Sequence, residues 1–223
     1  MTMKNRQFNA QEQQTLLDII ALRRDIRGNN FLPDSLCEKD LEKILCAASL
    51  APSVGLSQPW QFVVVQDQAT RTLIADNHLI ENEKAKAKFS DEKQHLYSQL
   101  KLEGIKEAPV NIAVFYQPKD EVVLGQNSMP EMGEYSVVCA IQNMWLMARS
   151  LNIGLGWVSI LDPKIVKNIL KAPAESKLVA YLCLGKVKEF LERPELEVLN
   201  WQQRENIKLN YEAFGQTNDE RKS

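Results

Sequence analysis

The chain has 223 residues, of which 44% are hydrophobic and 25% charged, and its formal net charge is −2. This is the composition of an ordinary globular protein, and the absence of a basic excess argues against nucleic acid as the main partner. No apolar run approaches a membrane span and the first residues lack the apolar segment of a signal peptide. We therefore expect a cytoplasmic protein without a membrane partner.

Cysteine usage argues against a disulfide framework or a zinc site. None of the four cysteines forms a CxxC pair, and neither histidine lies near one of them in sequence. We expect no metal. Cys139 and Cys183 lie in apolar stretches, which predicts that both are core residues.

Hydrophobic periodicity predicts the following elements in chain order. A helix over 11–24, a helix within 33–53, a strand over 61–66 and a short helix over 69–76 come first. A strand over 109–116, a helix over 131–152, a strand at 157–160, a helix over 163–170 and a strand within 177–187 follow. Asp162 and Pro163 supply an N-cap and a first helical residue. The order predicts one α+β domain over 1–223 rather than a regular βαβ alternation.

Two segments depart from this pattern. Residues 77–106 are charged and sparsely apolar, which indicates either a lid-like helical excursion or a solvated surface helix. The C-terminal arm, 188–223, is polar but retains Trp201, Tyr211 and Phe214, so we expect it to wrap around another surface, such as a second subunit. The helix over 131–152 is apolar nearly all round, as expected in a large core or at a dimer seam.

The stretch "RRDIRGNNF" concentrates charge. Arg23 and Arg27 are four residues apart, which would place them on one helix face, with Arg24 beside them. Such a cluster suits a phosphate, although a solvated helix end favoured by the helix dipole is the alternative. Asp25 is either an internal salt-bridge partner with a lowered pKa or a carboxylate directed at a ligand.

The link "APSVGLSQPW" is stiff and polar. Pro52 ends the preceding helix, Gly55 permits a positive φ or a close backbone approach, and Pro59 fixes the entry to the next strand. Ser53, Gln58 and the loop amides would suit a flat, hydrogen-bonding ring, but a structural turn explains the pattern equally well. By contrast, "GLGWVS" follows a helix and enters a strand, the reverse of a dinucleotide-binding fingerprint.

Together these pieces resemble the nitroreductase-like flavoprotein superfamily. The resemblance rests on "RRDIR", "APSVGLSQPWQFVVV" and "LNIGLGWVSILDP", and it extends from about Arg23 to Val187. Within the superfamily the sequence is most similar to the branch that makes 5,6-dimethylbenzimidazole. Asp25 stands where general nitroreductases usually carry serine, and "GWVSILDP" and "RPELE" are also typical of that branch.

The resemblance implies a mixed sheet flanked by helices and an intertwined homodimer with FMN in two interfacial sites. Arg23, Arg24 and Arg27 would hold the FMN phosphate and ribityl chain. Ser53, Gly55 and Gln58 would reach the flavin from the partner subunit. The implied FMN contacts also include Asp25, Ile26, Gly156, Trp157, Val158, Ser159 and, as a further phosphate contact, Arg204.

The implied activity is the O₂-dependent fragmentation of reduced FMN to 5,6-dimethylbenzimidazole and erythrose 4-phosphate, for the lower ligand of cobalamin. Asp25 would act as general acid/base and Ser159 would hydrogen-bond near the reacting ring. An external NAD(P)H-dependent flavin reductase would supply reduced FMN. One alternative is an NAD(P)H-dependent FMN reductase acting on nitroaromatics, quinones or a halogenated tyrosine. The other is a non-catalytic FMN-binding protein.

Overall fold

The architecture comes from a computed structural model, which describes residues 5–205. The helices are α1 (Ala10–Leu22), α2 (Glu38–Ser49), α3 (Gln68–Lys86), α4 (Asp91–Tyr97), α5 (Met132–Ser150), α6 (Pro163–Ile169) and α7 (Glu195–Val198). The strands are β1 (Trp60–Val65), β2 (Val110–Tyr116), β3 (Gly154–Val158) and β4 (Lys177–Gly185). The strands pair antiparallel rather than through βαβ units, and helices cover the sheet, so the predicted α+β class is confirmed.

The four strands form one antiparallel sheet in the order β1-β2-β4-β3. The sheet is buried on both faces at its centre, because side chains alternate along a strand and each face is covered. Ile112 and Val114 pack towards α2 and α5, whereas Ala113 and Phe115 belong to the cluster on the other face. This explains why β2 reads as a continuous apolar run. Parallel pairing among residues 5–205 is limited to an isolated bridge between Asp25 and Leu155 of β3, so the mixed sheet implied by the resemblance is here an antiparallel sheet with one parallel bridge.

The start of α6 follows from local sequence. The Asp162 side chain accepts hydrogen bonds from the amides of Lys164 (2.8 Å) and Ile165 (3.2 Å), and Pro163 occupies the first turn. These contacts satisfy amides that have no partner within the helix. The cap predicted at Asp162 is confirmed.

Three details differ from the sequence-based predictions. First, α3 runs without a break past residue 76, because Asn77 and His78 are buried and fix its middle. Second, β3 begins at Gly154, where a loop was predicted. Third, the prediction that Cys139 is a core residue is wrong, since it lies on the exposed side of α5, whereas Cys183 is buried as predicted.

Within 5–205, no helix combines the length and apolar character needed to cross a membrane. The C-terminal arm predicted over 188–223 is described as far as residue 205. Tyr211 and Phe214, which were predicted to wrap another surface, lie outside the described residues.

Candidate functional site

A cavity of about 250 Å³ lies where the arginine-rich stretch meets α7 and the segment after α4. Its lining carries more cationic than anionic side chains, although the whole chain is slightly acidic. The lining residues are Arg23, Arg24, Asp25, Arg27, Leu100, Lys101, Leu102, Pro194, Glu195, Leu196, Leu199 and Arg204. Such a surplus of guanidinium groups favours an anionic ligand.

The arginine-rich stretch is extended rather than helical, which corrects the predicted helix face shared by Arg23 and Arg27. Helix α1 ends at Leu22, and Arg23 (φ −64°, ψ 136°) and Arg27 (φ −110°, ψ 166°) have extended dihedral angles. Side chains two apart then share a side. The odd-numbered residues Arg23, Asp25 and Arg27 stay partly exposed, whereas the even-numbered Arg24 and Ile26 are buried.

The guanidinium donors of Arg24 are bonded to the protein's own backbone. Its guanidinium donates to the carbonyl oxygens of Ala21 (2.8 Å), Arg23 (2.7 Å), Leu191 (2.8 Å) and Glu192. These bonds join the N-terminal stretch to the C-terminal arm and leave little donor capacity for a phosphate.

Arg23 and Arg204 are the arginines with the fewest protein contacts at the cavity. The Arg23 guanidinium lies 4.5 Å from the centre of the Trp145 ring and has no hydrogen-bond partner among residues 5–205. Burial lowers the pKa of Arg23, and the charge of Arg204 lowers it further against the opposing effect of Asp25. Arg204 is exposed, and its Nε lies 3.8 Å from a carboxylate oxygen of Glu197. An anion between these two arginines would relieve their repulsion.

Asp25 faces the cavity and is held at both oxygens. Its Oδ1 accepts from the Trp157 amide (3.0 Å) and its Oδ2 pairs with Arg27. The surrounding protein desolvates the Asp25 carboxyl and so raises its pKa, with Arg27 and the Trp157 amide acting in the opposite direction, although 34% of the side chain stays exposed. The predicted internal salt bridge is therefore present, but the pKa moves towards neutrality, which suits proton transfer.

Arg27 connects three parts of the site. Besides pairing with Asp25, it donates to the carbonyl oxygens of Leu102 (3.1 Å) and Trp157 (3.3 Å). The next amide, of Gly28, donates to the Glu103 carbonyl oxygen (2.7 Å). Residues 102–103 are thus held against the arginine-rich stretch by backbone contacts.

Gly156 permits the close approach of this stretch to β3. The Ile26 amide donates to the Leu155 carbonyl oxygen (3.1 Å), and a Cβ at position 156 would overlap the Ile26 carbonyl oxygen. Ile26 and Val158 are both core residues, so only their backbone atoms remain available to a ligand.

Ser159 lies just beyond β3 and is exposed. Two residues of α3 hold the turn that follows Ser159. His78 Nδ1 lies 3.0 Å from the Ile160 carbonyl oxygen, and the Asp162 amide donates to the Asn77 side-chain oxygen (2.9 Å). Burial lowers the pKa of His78, so it donates to this carbonyl as a neutral ring.

The "APSVGLSQPW" loop lies elsewhere in the protomer. It leads into β1, at the opposite edge of the sheet from β3 and Asp25, about 14 Å away across three strand spacings. Gly55, Leu56 and Gln58 have positive φ, and Ser53 Oγ accepts from the Gln58 amide (3.0 Å). One protomer therefore does not bring Ser53, Gly55 and Gln58 to the arginine-lined cavity.

The sequence interpretation missed two parts of the cavity wall. Glu195 was noted only within "RPELE", yet it lines the cavity and its charge raises the pKa of Asp25. Leu100, Lys101 and Leu102 lie within the excursion predicted over 77–106, but no motif marked these three residues as part of the wall.

Comparison with known proteins identifies the family. A family model described as the nitroreductase family matches residues 20–186. The chain is 48% identical over 184 residues to a 5,6-dimethylbenzimidazole synthase from Rhodospirillum rubrum, covering 82% of this chain and 86% of that protein. It is 36% identical over 208 residues to a protein of the same name from Rhodobacter capsulatus, covering 92% and 98%.

The fold has a counterpart among solved structures. Oxidized iodotyrosine deiodinase bound to FMN and 3-iodo-L-tyrosine superposes with a TM-score of 0.71 at 21% identity, covering 89% of this chain and 100% of that chain. At this identity the likeness concerns the fold. The matches over most of the sequence place this chain in the nitroreductase family and, within it, among the 5,6-dimethylbenzimidazole synthases.

Proposed function

We propose that this chain converts reduced FMN and O₂ to 5,6-dimethylbenzimidazole and erythrose 4-phosphate. The observation that carries the proposal is the position of Asp25, whose carboxyl faces an arginine-lined cavity and has a raised pKa. The identity to two proteins named for this activity supports it. Reduced flavin, when bound, supplies the electrons for O₂ reduction and the atoms of the product.

The chemistry of the cavity fits the phosphate end of FMN. Arg23, Arg27 and Arg204 all line the same cavity. Ligand pockets usually enclose roughly 300–1,000 Å³, so a cavity of about 250 Å³ holds only part of a flavin. The ring must therefore lie beyond this cavity, towards Trp157 and Ser159 at the end of β3.

Asp25 is our candidate for proton transfer at the ribityl hydroxyls next to the phosphate. The Trp157 amide and Arg27 fix the orientation of its carboxyl, and burial raises its pKa above the ordinary value of an aspartate, which makes it a better proton donor than a free carboxylate. Ser159 would contribute a hydroxyl near the ring. Arg24, in contrast, would position the C-terminal arm rather than contact the phosphate.

A second copy of the chain would complete the site. Residues 53–58 lie at the far edge of the sheet, so they reach the cavity only from a partner protomer. Two helices also present apolar side chains to solvent. On α1, which buries none of its residues, these are Leu16, Leu17 and Ile20; on α5 they are Tyr135 and Val138. A dimer would cover such surfaces.

We expect the protein to be a dimer in solution that binds two FMN molecules. Light scattering combined with flavin absorbance would measure the mass and the flavin content. Leu17→Glu on the exposed side of α1 should favour monomers and weaken FMN binding. A monomer that binds FMN with undiminished affinity would contradict the shared site.

Of the lid predicted over 77–106, the part after α3 would cover the site within a single domain, because Asn77 and His78 are buried inside that helix. Leu100 to Leu102 already form one wall of the cavity, where they restrict access of water. Delivery of reduced flavin by a separate NAD(P)H-dependent reductase is part of the same proposal. Cytoplasmic placement is part of the same proposal, because such reductases supply the substrate there.

The decisive experiment is an aerobic product assay. The purified protein is mixed with chemically reduced FMN in air-saturated buffer, and products are separated by chromatography. We expect 5,6-dimethylbenzimidazole without added NAD(P)H. Complete recovery of oxidised FMN would contradict the proposal. Turnover of nitroaromatics or halogenated tyrosine with NAD(P)H would then support a reductase, whereas tight binding without any turnover would support a flavin-binding protein.

A further inference from the structure

Three aromatic rings form a cluster beside the cavity. The centre of the Phe89 ring lies 5.4 Å from that of Tyr97 and 5.3 Å from that of Trp201, and the Tyr97 and Trp201 rings are 6.0 Å apart. The Phe89 and Trp201 rings meet edge to face, at 87°. Aromatic pairs at these separations attract each other beyond the effect of area burial. We call Phe89, Tyr97 and Trp201 the aromatic clamp.

The clamp joins two walls of the cavity that are far apart in sequence. Phe89 lies just before α4, and Tyr97 is the last residue of that helix. The cavity-lining residues Leu100 to Leu102 begin three residues after Tyr97. Trp201 comes after α7, and Arg204 lies three residues further on. The rings therefore link the proposed lid to the segment that carries Arg204.

The backbone turn that presents Trp201 does not depend on its side chain. The Trp201 amide donates to the Leu196 carbonyl oxygen (2.9 Å) and the Asn200 amide to that of Glu197 (3.1 Å), with Asn200 at φ 56°. This pair of bonds and the left-handed residue form a Schellman motif that ends α7. A substitution of the indole should therefore leave the end of the helix intact.

Long hydrogen bonds tie the residues before Arg204 to α7, from the Gln202 amide to the Leu196 carbonyl oxygen (3.3 Å) and from Gln203 Nε2 to that of Glu197 (3.4 Å). Arg204 itself is exposed, and its ion pair with Glu197 spans 3.8 Å. Surface pairs of this kind fix a side chain only weakly. The other wall is anchored independently, because Leu102 and Glu103 bind Arg27 and Gly28 through their carbonyl oxygens. The bonds from Arg24 hold the arm at Leu191 and Glu192, whereas Trp201 packs the end of the arm, three residues before Arg204, against the segment that leads into the anchored wall.

We propose that Trp201 is a positioning residue that makes this site prefer a phosphorylated flavin, by holding Arg204 at the phosphate end of the cavity. The inference rests on the proposed flavin site but not on the fragmentation reaction. It predicts that loss of the clamp affects FMN, which carries a phosphate, far more than riboflavin, which does not.

The test compares the affinities of oxidised FMN and riboflavin by flavin fluorescence, without turnover. Trp201→Ala should weaken FMN binding about tenfold, as expected for one lost hydrogen bond to a charged group, and change riboflavin binding less than about twofold. Trp201→Phe should restore most of the FMN affinity. Val198→Ala, an exposed change on α7, is the matched control and should alter neither affinity.

A double-mutant cycle identifies the route of the effect. In an Arg204→Ala background, Trp201→Ala should cause no further loss of FMN affinity, because the two residues act through one contact. Equal weakening of FMN and riboflavin, or additive losses in the double variant, would overturn the proposal. Because the test measures only flavin binding, its result can be interpreted even if the protein forms no 5,6-dimethylbenzimidazole.

Discussion

Asp25→Asn is expected to retain flavin binding and to lose 5,6-dimethylbenzimidazole formation by about 100-fold or more, the usual contribution of a general acid/base. Asparagine keeps an oxygen that accepts the Trp157 amide, and Arg27 keeps its bonds to the Leu102 and Trp157 carbonyl oxygens. The cavity should therefore remain formed. The substitution removes the group that exchanges a proton together with its ion pair to Arg27.

Chromatography of the aerobic reaction and flavin fluorescence measure the two effects separately. Asp76→Asn is a matched control, because Asp76 is exposed and its only ion pair within the described part of the chain is a 3.8 Å contact with Lys106. It should change neither quantity. Product formation at the original rate in Asp25→Asn would remove this carboxyl from the mechanism, and loss of flavin binding would assign it to holding Arg27 in place.

The raised pKa of Asp25 also sets the sign of a pH effect. A carboxyl whose pKa is higher in the folded protein binds its proton more tightly there than in the unfolded chain. The flavin-free protein should therefore lose stability as the pH rises from the unfolded pKa of Asp through the higher folded value. Asp25→Asn should lack this loss, which urea unfolding across that pH range would reveal.

Gly156→Ala is expected to destabilise the protein by about 1–3 kcal/mol, the usual cost of overpacking, and to abolish measurable FMN binding. The added Cβ would meet the Ile26 carbonyl oxygen, a backbone atom that cannot turn aside. The stretch from Arg23 to Arg27 would have to move away from β3. Asp25 and Arg27 would then lose their contacts with Trp157.

Gly28→Ala provides the matched control for this effect. The atoms nearest to a Cβ at position 28 would be those of the Glu107 carboxylate, the end of a side chain that can rotate away. Urea unfolding and flavin titration of both variants would separate the local clash from a general effect of alanine. If Gly156→Ala bound FMN as well as Gly28→Ala, close packing of the arginine stretch against β3 would not be needed for the site.

Most of the elements could be predicted from the sequence, because each depends on nearby residues. The apolar run of β2 and the cap formed by Asp162 and Pro163 are local signals. The start of β3 was not predictable in this way. Glycines usually weaken strands, and the reason for Gly154 and Gly156 lies in the side chain of Val187 and the backbone of Ile26, which approach only in the folded chain.

The candidate site was predicted as a set of residues but not as a geometry. A spacing of four suggested a helix face for Arg23 and Arg27, yet pairing with β3 makes the stretch extended, so Asp25 rather than Arg24 shares their side. Burial of Arg24 depends on carbonyl groups about 167 positions away, which no local pattern reports. The exposure of Cys139 likewise reflects which side of α5 the core covers.

The bonds from Arg24 to Leu191 and Glu192 have a consequence for biosynthesis. A nascent polypeptide from which these positions have not yet emerged lacks the carbonyl groups that hold Arg24, although β3 can already pair with the arginine-rich stretch. Capture of a flavin would therefore await synthesis of residues 191 and 192. Products truncated before them would carry the early motifs without the bonds that seat Arg24.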